Sequence, residues 1–230
     1  MTKSRSLKKE LLDGDHIPQQ DLFRNLKELD IINHLLGGYT ISYSALKTVL
    51  TENKEYVFVD IGCGGGDTLK RIQNWNKKSP FKIKLYGIDI KPICIEYANQ
   101  TNDHSIQFIC DDYKNTDQYL QKIDIIHACL FCHHLSESEI LELIQFAQKN
   151  NAVLIINDLE RNVIAYYAIK FLTAIFSKSY LVKNDAPLSV LRGFKKGEWL
   201  DMILKSGAKK YSVKNKWAFR HQVIVYGNQQ

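Results

Sequence analysis

An aspartate leading into a glycine-rich turn, Asp60-Ile61-Gly62-Cys63-Gly64-Gly65-Gly66-Asp67, is the densest concentration of chemistry in the chain. Glycines allow a backbone to approach a ligand more closely than a Cβ permits. The apolar run before the turn, Val57-Phe58-Val59, reads as a strand that delivers it to a sheet edge. Nicotinamide and flavin proteins use a related G-x-G-x-x-G turn. Here the third glycine of that pattern would fall at position 67, which is Asp67, and an aspartate beside a pyrophosphate is electrostatically unfavourable. The acid at Asp60, ahead of the first glycine, suits a ligand that brings an amino group.

Two further acid sites recur at strand ends. Tyr86-Gly87-Ile88-Asp89-Ile90 places a carboxylate one βαβ unit later, where it can accept hydrogen bonds from both hydroxyls of a ribose. Cys110-Asp111-Asp112-Tyr113 places acids at the end of the next strand, where one can accept from the exocyclic amine of adenine. Beyond a fourth strand stand His133 and His134. A neutral imidazole can take a proton from a hydroxyl, and either histidine can instead cap the helix that starts near Ser136 or pack against a cofactor.

Positioning these groups requires an alternation of strands and helices. From Glu55 onward the runs YVFVDI, KIKLYGIDI, IQFIC, DIIHACLF and AVLIIND are strand-like, and TLKRIQNW, IEYANQ and ILELIQFAQ between them are helical. That alternation predicts a parallel sheet with helices on both faces, and such sheets bind ligands beyond the carboxyl ends of their strands. Before it, Leu22, Leu26, Leu29, Ile32 and Leu36 fall on one helical face that Gly37-Gly38 stops, and a second short helix is expected over 42–50. After it come one long apolar segment over 163–181, a helix near 196–205 and a terminal hairpin. Lys170 and Lys178 interrupt the apolar segment, so it is expected as a lid or buried helix rather than a membrane span.

Composition sets the outer limits. A chain of 230 residues with 45% apolar and 24% charged residues fits one folded domain of ordinary core size. The net charge of +6 comes mostly from dispersed lysines, which disfavours a dedicated nucleic-acid track. The N-terminus lacks the apolar run of a secretory signal, so a cytoplasmic location and five reduced cysteines are expected. Cys129-Leu130-Phe131-Cys132-His133 matches the haem-attachment pattern, but it extends an apolar strand in a chain without an export signal. Neither haem nor metal is expected, since nothing nearby in sequence completes a zinc ligand set.

The run VDIGCGGG, the acid in GIDI, the acids in CDDY and the segment DIIHACLFCHHLSESE together resemble the successive motifs of class I S-adenosylmethionine-dependent methyltransferases, in particular a bacterial small-molecule branch. The resemblance is strong over about 55–160. It implies a Rossmann-like, doubly wound α/β fold. The sheet would have seven mostly parallel strands with the last antiparallel, residues 1–54 would form an N-terminal helical cover, and 55–230 the methyltransferase domain with an inserted helical lid, the whole one structural domain. It implies S-adenosylmethionine as cofactor, with Asp60, Gly62 and Gly64 around its amino-acid part, Asp89 at the ribose, Asp112 or less readily Asp111 at the adenine, Ile90 against the base, and Ala128 and Cys129 along the cofactor. From their chemistry and position, and not from the resemblance, His134 and His133 are the candidates for a catalytic base. On the acceptor side, Tyr166, Tyr167, Phe171 and Phe176 would form an aromatic cover, with Tyr167, Arg161 and Arg192 touching the acceptor and the arginines holding a carboxylate or polarising a carbonyl. The expected reaction is O-methylation of a small, aromatic hydroxyl compound. RNA or protein methylation, and non-catalytic S-adenosylmethionine binding, are the alternatives.

Overall fold

A computed structural model describes all residues except 1–3, 15, 53, 101, 103 and 228–230. The alternating pattern becomes β1 (Glu55–Ile61), α3 (Asp67–Asn76), β2 (Lys82–Asp89), α4 (Pro92–Gln100), β3 (Ile106–Cys110), β4 (Ile125–Cys129), α5 (Glu137–Lys149) and β5 (Val153–Leu159), preceded by α1 (Gln19–Leu35) and α2 (Gly38–Val49). After β5 follow α6 (Val163–Phe176), α7 (Tyr180–Arg192), α8 (Lys196–Lys205), β6 (Tyr211–Lys216) and β7 (Arg220–Val225).

The seven strands form one sheet in the order β3-β2-β1-β4-β5-β7-β6. The first five are mutually parallel, whereas β7 runs antiparallel to both β5 and β6. The strand order reverses between β1 and β4, so their carboxyl ends open a crevice at the topological switch point.

Side chains alternate across each strand, and both sets are apolar because helices cover both faces. Val59, Ile61, Leu154 and Ile156 pack with Ile140 and Leu143 of α5 and Trp199 of α8. Phe58, Val153 and Ile155 pack on the other side with Leu46 of α2, Leu69 of α3 and Ile95 of α4. Of the N-terminal segment, α2 therefore belongs to a layer on the sheet, while α1 packs through Leu22 and Leu26 against Cys94 of α4 and Leu12.

The apolar stretch after β5 is two helices, not one. α6 ends at Phe176, and the Ser179 hydroxyl accepts a hydrogen bond from the Val182 amide to cap α7. At the joint, Glu28 of α1 accepts from the Ser177 hydroxyl and from the Lys178 amide. Among the described residues no helix is long and apolar enough to cross a membrane.

Candidate active site

The turn after β1 carries Gly62 and Gly64 at φ of +61° and +52°. This left-handed conformation is strained for side chains with a Cβ. A Cβ on Gly62 would lie 2.2 Å from the Phe131 ring, whereas at Gly64 the nearest atom is 3.7 Å away, on Leu26. One glycine lets the turn pack against Phe131 and the other leaves its backbone open to the crevice. Asp89 at the end of β2 accepts from the Gly64 and Lys91 amides, at 2.9 Å each. An ionised carboxylate has about four lone-pair sites, so it retains capacity for two ligand hydroxyls. Burial raises its pKa despite those bonds.

A cavity of about 420 Å³ lies over these strand ends. Asp60, Gly62, Gly64, Asp89, Ile90, Asp111, Asp112 and Cys129 all line it. Ala128 does not: it is fully buried in the core, because neighbouring residues of a strand face opposite sides and only Cys129 turns to the crevice. Asp111 is engaged by the Tyr119 hydroxyl at 2.6 Å and by Asn115 at 2.9 Å, and these bonds hold its pKa below the usual range. The Asp112 side chain accepts from the Lys114 amide at 3.0 Å and caps the short turn that follows. Asp60 is paired with His127 at 2.7 Å, and the other ring nitrogen of His127 meets Ser42 at 2.9 Å. Asp67 also lines the cavity. Burial pushes it up to about 6, against the hydrogen bond it accepts from Tyr39.

A second cavity of about 530 Å³ adjoins the first. Leu12, Leu29, Leu130 and His134 line both. Leu130 itself has φ +54°, a turn that swings the chain from β4 into the His133-His134 segment at this boundary. The peptide carbonyls of that segment are clamped: Arg192 donates to both His133 and His134, and Arg5 donates to His133 and Leu135.

The imidazoles are equally fixed. His133 Nδ1 lies 2.7 Å from Asp158, and His134 Nδ1 lies 3.1 Å from Asp13. Burial would raise Asp158, but the charge and hydrogen bond of His133 hold it below the usual range. Burial would also raise Asp13, but the hydrogen bond and charge of His134, with the Glu10 amide and Arg192, bring it to about 2. Ionised carboxylates only accept, so each histidine, when neutral, carries its proton on Nδ1 and presents a basic Nε2. Both Nε2 atoms face Glu10, at 3.6 and 3.8 Å. Glu10, only 5% exposed, accepts from Ser189 at 2.8 Å, and burial lifts it to about 7. The helix after the histidines is capped by Ser136 in a box with Glu139, so neither histidine serves as its cap.

Three acceptor-side expectations are corrected. Arg161 is buried and donates to the Gly193 carbonyl at 2.8 Å and to Glu198 at 2.6 Å. Arg192 spends its guanidinium on the carbonyls of Lys8, His133 and His134. Neither lines the cavity. Tyr167 lies on the outer side of α6, which turns Ala165, Ala168, Ile169 and Leu172 inward, so the wall is aliphatic where an aromatic one was expected. The guanidinium at this cavity belongs to Arg220, 2% exposed, which reaches Asn157 at 3.3 Å and leaves its Nε without a partner. Glu10, Asp13, Asp67 and Arg220 are the residues sequence reasoning missed as site residues. Asp67 was visible in the glycine turn, and Arg220 as a cation heading the strand RHQVIV, whose other residues are all buried.

Residues 52–206 match the family described as "Methyltransferase domain". Among solved structures, the plantazolicin methyltransferase BpumL in complex with SAH superimposes with a TM-score of 0.64 at 17% identity, covering 91% of this chain and 89% of that one. Human N-acetylserotonin methyltransferase in complex with SAM gives 0.64 at 14% identity, covering 91% of this chain and 56% of that one. No curated protein matches the sequence.

Proposed function

The chain belongs to the methyltransferase-domain family, and from that premise we propose that it transfers a methyl group from S-adenosylmethionine to the hydroxyl of a small, largely apolar, aromatic acceptor. The observation that carries this reading is the pair of adjoining cavities with His134 on their shared wall. The second, at about 530 Å³, falls within the common range for small-molecule sites.

The first cavity suits an aminoacyl nucleoside. Gly64 admits a ligand against the backbone where a Cβ would project, Asp60 and Asp67 offer carboxylates to an amino group, Asp89 keeps lone pairs for a ribose, and Asp112 is the less engaged acid for an adenine amine. Ile90, largely exposed at the rim, offers an apolar surface to the base, and Cys129 lines the inner wall. When bound, S-adenosylmethionine supplies a methyl carbon already activated on a sulfonium, so holding the acceptor in line does much of the work. His134 receives the acceptor's proton on Nε2, and Asp13 holds its ring to that task. His133, almost fully buried and tied to Asp158, supports the same polar end. Arg220, which lines the second cavity, takes the place assigned above to Arg161 and Arg192 towards a carbonyl or carboxylate oxygen of the acceptor.

The test is transfer from labelled donor into bulk RNA, protein extract and small-molecule extract, each at low and high salt. Label is expected in an organic-soluble product with little salt dependence. Label in RNA that falls steeply with salt, or label in protein, refutes the acceptor class.

A further inference from the structure

The least explained element of the molecule is α6. Its fourteen residues, VIAYYAIKFLTAIF, are apolar almost all round, yet only Ala165 and Thr173 are buried. A helix of that composition is normally enclosed. Ile164, Tyr167, Phe171 and Ile175 are exposed and follow helical spacing along one side, with Phe171 at 65%, and Phe176 at the helix end is 75% exposed. The stripe runs into the second cavity, since Ala168 and Leu172 at its border line that cavity. Trp217, 80% exposed in the β6–β7 turn, lines it as well.

Charge decides what covers this face. Between Glu160 and Asp185 the sequence contains no acid and four cations, Arg161, Lys170, Lys178 and Lys183. Arg161 is buried against Glu198, and the three lysines are exposed. A second copy of the chain placed on the stripe would bring lysines toward lysines, and the acid at the joint, Glu28, is already engaged by the Ser177 hydroxyl and the Lys178 amide. A bilayer carrying anionic lipid offers acyl chains to the apolar side chains and negative headgroups to the lysines, which matches both features and the chain's net charge of +6. At about 1.5 Å per residue the helix is roughly 21 Å long, and no described helix is long and apolar enough to span, so the fitting geometry is one lying in the interface.

We propose that α6 docks the protein on an anionic membrane surface and that the second cavity opens toward the acyl chains, so that the acceptor enters from the lipid without crossing water. The entry route rests on the acceptor site proposed above; the docking does not.

The experiment is sedimentation of the full chain with vesicles of phosphatidylcholine alone and of phosphatidylcholine mixed with phosphatidylglycerol, alongside donor titration as a check of folding. Preferential binding to the mixed vesicles is expected. The pair Phe171→Glu and Ile175→Glu should weaken it about tenfold or more, and each of Lys170→Gln and Lys178→Gln about fivefold, with donor affinity unchanged. These side chains are exposed, so the fold should survive. Absence of vesicle binding, binding that persists in both sets of variants, or a dimer in solution that Phe171→Glu dissociates would overturn the proposal, the last by assigning the face to a second copy. Vesicle binding reads neither donor nor methyl transfer, so its failure leaves the methyltransferase reading standing, and loss of donor binding alone strikes only that reading.

Discussion

Replacing Glu10 by Gln tests the polar end of the second cavity through stability rather than turnover. Glu10 sits 5% exposed, with its carboxylate raised from 4.5 to about 7 chiefly by burial, against the opposing effects of His134 and Ser189. A difference of that size corresponds to roughly 3 kcal/mol. Because the folded-state value lies above the unfolded one, this part of the stability is intact below about pH 4.5 and is lost as pH rises through 7. Gln keeps the shape, can accept from Ser189, and never ionises. Glu10→Gln should therefore match the parent near pH 4.5 and exceed it by up to about 3 kcal/mol at pH 8.5, or about 6 to 12 °C in melting temperature for a chain of this length. Thermal unfolding of both proteins across that range measures the difference, and groups unaffected by the change cancel. A gap that does not grow with pH would show that Glu10 is not held in the desolvated position on which the acceptor site depends.

Gly64→Val should abolish donor binding while leaving a folded protein, because the new side chain has room but occupies the crevice, at a backbone cost of about 1–3 kcal/mol for the left-handed conformation; calorimetric titration with S-adenosylhomocysteine reads it, as it does Asp89→Ala, which should bind at least tenfold more weakly, about 1.4 kcal/mol. His134→Ala should lower turnover about a hundredfold with donor affinity nearly intact. A loss confined to donor binding would reduce His134 to a wall of the first cavity.

The lining of the first cavity, proposed above for the donor, was legible in the sequence because its residues are local to strand ends. A period of two, a glycine turn and an acid repeated after β1, β2 and β3 fix where each side chain must lie once the sheet forms, and eight of the nine positions named for the cofactor do line one cavity. Ala128 failed because the resemblance marks the strand end but not which of two neighbouring residues faces the crevice. The helix break at Ser177 to Ser179 was hidden by the apolar character of its surroundings, since the cap and its partner Glu28 come from different parts of the chain.

The acceptor half resisted for a more physical reason. A helix apolar on nearly every side has no polar face to orient it, so nothing in VIAYYAIKFLTAIF indicates that Ala168 rather than Tyr167 faces inward. Arginines near a pocket look alike in sequence, and only their partners and placement show Arg161 and Arg192 as structural clamps and Arg220 as the one that lines the cavity. Glu10 and Asp13 meet histidines more than a hundred residues away, because Asp185 accepts from the Leu11 and Leu12 amides, Ser189 donates to Glu10, and Lys91 donates to the Leu12 and Gly14 carbonyls. The same short segment supplies Leu12 to the wall shared by both cavities and Asp13 to the ring of His134. Walling the second cavity and fixing the ring of His134 are thus two effects of one strap. A substitution that frees the strap, such as Asp185→Ala, would disturb both together.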